Sequence, residues 1–117
     1  LDALRSYLRR HPLRREPRTW TTLLSLCALA EAASVLGDPA LAEQAAAGLR
    51  PHRGLVVLVG ISAVMGPSDG YLALAEATLG DRASAAALAD EAERLAARGP
   101  LPRYIRWLRA ERERLGF

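Results

Sequence analysis

The last predicted helix of this 117-residue chain carries the residues best suited to binding chemistry. Arginine recurs at nearly every third position, with a tryptophan inside the row: Arg103, Arg106, Trp107, Arg109 and Arg112. A guanidinium group can bind phosphate or carboxylate, and an indole ring can stack on bases. The same pattern also suits an ordinary helix surface, in which Arg109 pairs with Glu113 and Trp107 packs against a neighbouring repeat. We take Arg103, Arg106, Trp107 and Arg109 as a candidate interaction surface for a protein, with a nucleic acid as the alternative.

No other pattern predicts catalysis, a cofactor or a metal. The glycine-containing run at residues 60–68 departs from a phosphate-binding loop, because proline replaces the lysine and the spacing is one residue too long. His11 and His52 each stand alone beside a proline, without metal-ligand spacing. Cys27 lies among leucines, which predicts a buried and inert thiol. The following carboxylates are expected on solvated helix faces: Glu31, Glu43, Asp90, Glu91 and Glu93. We therefore expect no enzyme activity.

The elements that position these residues are predicted to be helices. Alanine and leucine fill 44 of the 117 positions, whereas valine and isoleucine fill only seven. Alanine and leucine favour helices, and small side chains let helices approach closely. Capping and helix-breaking residues divide the chain into six helices: residues 2–10, about 17–36, 38–49, 67–79, 81–97 and 102–115. The composition thus predicts an all-α fold and argues against a β-sandwich or barrel.

The two halves of the chain share a turn at an offset of 43 residues, because Leu36-Gly37-Asp38 matches Leu79-Gly80-Asp81. In each turn we expect the glycine to adopt a positive φ and the aspartate to cap the next helix. Small residues recur beside both turns and should allow close helix packing: Ala30 and Ala42, then Ala73 and Ala85. The pattern predicts one domain over residues 1–117. It comprises repeat units at about 17–50 and 67–98, an apolar connector at 51–66 and a terminal helix at 102–115.

Two apolar segments carry further expectations. Residues 55–65 form the longest apolar run, which is too short to span a bilayer. We expect this run to be buried against both flanking helix pairs, and its pattern fits a helix or an extended strand. In the terminal helix, Tyr104, Ile105, Trp107 and Leu108 form a band that one neighbouring helix covers only in part. An exposed apolar patch there would let two copies associate.

Four stretches resemble one group of proteins: PRTWTTLLSLCALAEAASVLGD, LRPHRGLVVLVG, GPSDGYLALAEATLGD and LADEAERLAARG. The group is the tetratricopeptide-like C-terminal region of large actinobacterial ATPase regulators, which include LuxR-type transcriptional regulators and ATPases linked to nucleotide cyclases. The resemblance covers residues 2–97. The matching positions are Trp20, Pro51, Val56, Val57, Gly66, Pro67, Tyr71, Leu72, Leu79 and Gly80. It implies antiparallel helix pairs stacked as a short right-handed superhelix. The ATPase, cyclase and DNA-binding motifs of those regulators are missing from this sequence, so their activities are not carried over.

The charge distribution weakens the nucleic-acid alternative. Residues 1–18 carry a net charge of +4, residues 19–93 carry −6 and residues 94–117 carry +5. Such a chain has basic ends and an acidic middle, so it offers no continuous basic stripe.

The sequence also indicates a cellular context. A single cysteine fits a reducing cytoplasm, the first residues lack a signal-peptide pattern, and the missing initiator methionine suggests a piece of a longer regulator. We predict a cytoplasmic, non-catalytic scaffold or sensor module. Its expected partners are neighbouring domains of the parent chain, a regulatory protein or a second copy. The sequence leaves the partner's identity and the signal open.

Overall fold

The computed structural model describes residues 1–11, 21–59 and 63–117. Six α-helices are found in these residues: α1 (Asp2–Arg10), α2 (Thr22–Leu36), α3 (Pro39–Leu49), α4 (Ser68–Thr78), α5 (Arg82–Arg98) and α6 (Pro102–Leu115). A short 3-10 helix, Arg50–His52, follows α3. The chain is therefore mostly helical, and its described helices lie close to their predicted positions. The predicted start of the second helix, with Trp20, lies outside the described residues.

Both glycine–aspartate turns have the predicted backbone geometry. Gly37 has φ 58° and Gly80 has φ 92°. The Asp38 carboxylate accepts backbone N–H bonds at the start of α3, and the Asp81 carboxylate accepts one from Ser84 at the start of α5. Each aspartate N–H also donates to the carbonyl five residues earlier, at 3.1 Å for Asp38 and 3.0 Å for Asp81. Local capping chemistry thus explains why the helices break at these points.

Helix α4 lies at the centre of the fold and contacts α2, α3, α5 and α6. All of its residues from 68 to 76 are buried. Alanines make this crowding possible, because a methyl side chain keeps the distance between neighbouring helices short. The four alanines predicted to serve this purpose are fully buried: Ala30, Ala42, Ala73 and Ala85.

Part of the predicted apolar connector forms a β-hairpin. Strand β1 (Val56–Val59) pairs antiparallel with β2 (Ala63–Pro67), with Val57 opposite Gly66 and Leu58 opposite Val64. A register shift falls between Val57 and Leu58. The sequence left open whether this segment is helical or extended, and the structure shows that it is extended. Adjacent β-branched residues favour this conformation. The hairpin is a departure from a purely helical fold.

The expected burial of residues 55–65 is wrong for most of the described positions. Val57 is 2% exposed, but four aliphatic side chains are 41–54% exposed: Leu55, Val56, Leu58 and Val64. In β1 the reason is the two-residue period of a strand, which turns alternate side chains to opposite faces. In β2 the exposed residues are at the start of the strand and the buried residues, Gly66 and Pro67, are at its end. One face of the hairpin packs on the helices and the other does not. Residues 60–62 of the run lie outside the described part.

Helix α1 is attached to the rest of the fold through its arginines. Arg5 donates to the Leu36 carbonyl at 2.9 Å, and both Arg5 and Arg9 lie near the Asp38 carboxylate, at 3.9 and 3.7 Å. Helix α1 has no buried residue. Within the described ranges, no helix is both long enough and apolar enough to cross a membrane.

Candidate interaction surfaces

Tyrosine 104 fixes the first turn of α6 against the hairpin. Its hydroxyl donates to the Pro67 carbonyl at 2.7 Å, and this bond is buried. A Cβ atom at Gly66 or at Gly70 would collide with the Tyr104 side chain, so both glycines are needed for this close approach. Leu108, one turn later, is fully buried. The hairpin, α4 and α6 therefore meet around one tyrosine ring.

Trp107 belongs to an aromatic cluster with Tyr71 and Tyr104. Its ring centroid lies 4.9 Å from that of Tyr71 and 5.4 Å from that of Tyr104. Trp107 is half-buried, and the exposed apolar patch expected on α6 is not found, because none of its large apolar side chains is exposed. An indole held against two tyrosines is poorly placed to stack on a base.

The arginine row of α6 is divided between two faces of the helix. Arg103 and Arg106 are exposed and make no ion pair with the described residues. Arg109 instead binds Glu93 of α5, with 3.0 Å between Nε and Oε2, so the expected pairing with Glu113 is wrong. The pair forms because Arg109 lies on the side of α6 that faces α5. Among the contacts of the described residues, Arg103 and Arg106 are thus the two arginines of the candidate surface that have no carboxylate partner.

Arg112 and Arg114 are also used inside the fold. Arg112 lies 2.7 Å from the Asp90 carboxylate and 3.4 Å from that of Glu93. Arg114 binds Glu111 on its own helix and donates to the Ser34 hydroxyl of α2 at 2.9 Å. These contacts join α6 to α5 on one side and to α2 on the other.

A half-buried carboxylate lies near the α2–α6 contact. Burial raises the pKa of Glu31, and the nearby Glu111 carboxylate raises it further. Glu31 was expected on a solvated helix face, but it is half-buried, whereas Glu43 is exposed as predicted. Sequence reasoning missed the approach of these two carboxylates because it arises from packing between α2 and α6.

The predicted burial of Cys27 is confirmed. Burial raises the pKa of its thiol to about 12, with a smaller contribution from the Glu31 carboxylate. The thiol is therefore protonated at neutral pH, which disfavours nucleophilic chemistry.

The two histidines lie in different surroundings. His11 is exposed and stacks on Tyr7, with 4.4 Å between the ring centroids. His52 is half-buried, and its carbonyl accepts the Ser68 hydroxyl at 2.6 Å. No group of three or more His, Cys, Asp or Glu side chains able to hold a metal ion occurs in the described residues.

A groove of about 270 Å³ lies over α4, between the 3-10 helix and α5. Its lining residues are Arg50, Arg53, Leu72, Glu76, Ser84, Ala87 and Leu88. Arg50 binds Glu43 at 3.1 Å and Glu76 at 3.0 Å, so its charge is already matched by carboxylates. The groove therefore offers little free charge to an anionic ligand.

The outer face of the hairpin is the main feature that the sequence did not reveal. It carries Val56, Leu58 and Val64, with Leu55 just before β1. Residues 54–67 contain no charged side chain. The valine run could be recognised in the sequence. Which of its side chains are buried and which are exposed depends on contacts with distant helices. The outer face is an exposed aliphatic surface of the kind that marks interaction sites.

No protein-family model, curated protein or solved structure matches this chain.

Proposed function

We propose that this chain is a non-catalytic, tetratricopeptide-like helical-repeat scaffold that mediates protein–protein contacts within a bacterial transcriptional or signalling regulator. The observation that carries the proposal is the aliphatic outer face of the hairpin. Soluble proteins rarely leave several adjacent large aliphatic side chains half-exposed without a binding role. Arg103 and Arg106, which are exposed on α6 and have no ion pair within the described residues, are a second part of the candidate surface.

The repeat interpretation adds support to the proposal. Two turns that share a positive-φ glycine and a capping aspartate, 43 residues apart, each join two consecutive helices that contact one another. Stacked helix pairs present extended surfaces whose side chains hold a partner segment. The resemblance to regulator-associated repeats points to a partner within, or recruited by, a larger cytoplasmic regulator.

A protein partner fits the surface better than a nucleic acid. Phosphate binding needs several free cations along one face, and two of the four arginines in the row, Arg109 and Arg112, are already paired with α5 carboxylates. Trp107 is half-buried against two tyrosines and is therefore poorly placed for base stacking. The aliphatic hairpin face, in contrast, resembles the apolar centre of a protein interface.

Site-specific photocrosslinking in cells that express the chain tests the proposal. A photoreactive amino acid replaces Leu58 on the hairpin face or, in the matched control, the exposed Ala83 at the far end of α5. We expect a discrete, nuclease-resistant product from position 58 and little product from position 83. Equal products from both positions, or a product removed by nuclease, would contradict the proposed function.

A further inference from the structure

The C-terminal end of α6 is joined to α2 through one arginine and one buried serine. The Arg114 guanidinium donates to the Ser34 hydroxyl at 2.9 Å and to the Ser34 carbonyl at 3.3 Å. The Ser34 hydroxyl in turn donates to the Glu31 carbonyl at 2.8 Å. Arg114 also binds Glu111, one turn earlier on α6. Because residues three apart lie on the same side of a helix, the contact brings the side of α2 with Glu31 to the side of α6 with Glu111.

The charges at this contact do not balance when both glutamates are ionised. Glu31 and Glu111 bring two negative charges, and Arg114 brings one positive charge. The guanidinium is bound to Glu111 and Ser34, and Glu31 has no ion pair among the described residues. One uncompensated negative charge therefore lies on a half-buried side chain.

The charged side chains of the elements around α2 have other partners within the described structure. They are bound as follows: Glu43 of α3 and Glu76 of α4 to Arg50, Asp69 of α4 to the Gly54 N–H, and Arg5 and Arg9 of α1 to Asp38. Strand β1 carries no charged residue. Glu31 is itself the single charged residue of α2. The charge balance at the contact is therefore set by Glu31, Glu111 and Arg114.

Two further titratable groups lie close to Glu31, and both are uncharged near neutral pH. They are the Cys27 thiol on α2 and the Tyr71 hydroxyl on α4, and burial raises the pKa of each. Neither group can neutralise the Glu31 carboxylate, so a proton on Glu31 is the simplest way to balance the contact.

We infer that a proton on Glu31 controls how firmly the end of α6 is held on α2. With Glu31 protonated, the Glu111–Arg114 pair is balanced and the contact is tightest. Ionised Glu31 repels Glu111, so the last turn of α6 loosens from α2. The start of α6 stays in place, because the Tyr104–Pro67 hydrogen bond and the buried Leu108 hold it independently.

The direction of the response follows from the raised pKa of Glu31. Burial raises this pKa, and the Glu111 carboxylate raises it further. A carboxyl group whose pKa is higher in the docked state favours docking when it is protonated. The contact is therefore tightest below the unfolded-state pKa of Glu31 and loosens as the pH rises through the folded-state value.

Hydrogen exchange measured by NMR on the full chain tests this inference. The backbone amides of residues 112–115 report the end of α6, and the carboxyl carbon of Glu31 reports its own titration. We expect the protection of these amides, corrected for the pH dependence of intrinsic exchange, to fall about two- to fivefold as Glu31 loses its proton. The expected change is modest because Arg112 keeps its bonds to the α5 carboxylates.

Matched substitutions identify the group responsible. Glu31→Gln should keep the amides of residues 112–115 at their acid-pH protection up to neutral pH. Glu113→Gln is the control, because Glu113 is exposed on the same helix and has no ion pair within the described residues; this variant should keep the wild-type pH dependence. Ser34→Ala removes the hydroxyl that accepts from Arg114, so it should lower the protection even when Glu31 is protonated.

Two results would overturn the inference. One is constant protection of residues 112–115 throughout the titration of Glu31. The other is a Glu31→Gln variant that keeps the pH dependence of the wild type. Either result leaves the proposed function untouched, because that proposal depends on the outer face of the hairpin and not on the end of α6.

Discussion

Two adjacent residues of β1 give the sharpest test of how the hairpin packs. Val57 is 2% exposed and Leu58 is 54% exposed, so the same charged substitution should have very different effects at the two positions. Val57→Asp places an unpaired carboxylate in the buried core beneath the hairpin. Leu58→Asp places the carboxylate in water. The comparison is well matched because both positions lie in one strand and both variants add one negative charge.

The size of the expected effect follows from the buried contacts and the hydrogen bond that the hairpin would lose. A buried, unpaired charge costs several kcal/mol, and the hairpin can avoid part of this cost by swinging away from α6. That movement would expose Val57, at about 2 kcal/mol, and break the Tyr104–Pro67 hydrogen bond, at about 1 kcal/mol. We therefore expect Val57→Asp to lower the free energy of unfolding by about 3 kcal/mol. Leu58→Asp should change it by less than about 0.5 kcal/mol.

Urea unfolding followed by circular dichroism measures both variants against the wild type. An additional Val57→Ala variant removes buried methyl groups without adding charge, and it should cost about 1.5 kcal/mol. In thermal unfolding, Val57→Asp should lower Tm by roughly 10–15 °C. Equal destabilisation by Val57→Asp and Leu58→Asp would refute the assignment of inner and outer faces, and with it the proposed role of the outer face in protein contacts.

Three further predictions concern the turns and the buried polar groups. Tyr104→Phe should destabilise the fold by about 1 kcal/mol, and more than Tyr71→Phe in the same urea assay, because the Tyr104 bond to a β2 carbonyl is buried and the Tyr71 bond only partly so. Gly37→Ala and Gly80→Ala should each lower the free energy of unfolding by roughly 1 kcal/mol. The cause would be backbone strain at positive φ and not a steric clash, because no atom lies within 4 Å of the added Cβ. Unchanged Tm values in thermal unfolding would contradict the positive φ angles. Because burial raises the pKa of Glu31, stability should fall as pH rises from the unfolded-state pKa through the folded-state value. Glu31→Gln should therefore be more stable than wild type at neutral pH, with a difference that disappears below the unfolded-state pKa; a constant difference across pH would exclude this cause.

The sequence was sufficient for the helices and for the turns between them. Alanine and leucine set the helical propensity, and the Gly37-Asp38 and Gly80-Asp81 pairs supply a left-handed stop followed by a cap. These signals act within a few residues along the chain, so they can be recognised without knowing which helices are neighbours. The buried alanines beside the turns could be predicted for the same reason.

The sequence was less informative about the candidate surface. Arg103, Arg106, Arg109 and Trp107 were recognised as chemically capable residues. The fold then paired Arg109 with Glu93, 16 residues away, and placed Trp107 against Tyr71. A guanidinium group can pair with any carboxylate within reach, and the packing of α6 on α5 decides which one that is.

The hairpin shows most directly what tertiary structure adds. Its valine-rich residues were visible as an apolar run, but the sequence did not distinguish a buried connector from a sheet with one free face. Tyr104, 37 residues beyond Pro67, holds one face of the hairpin against the helices and leaves Leu58 and Val64 exposed. Local sequence determines where a strand forms. The face that it buries depends on which distant side chains reach it, because burial is a property of the assembled contacts.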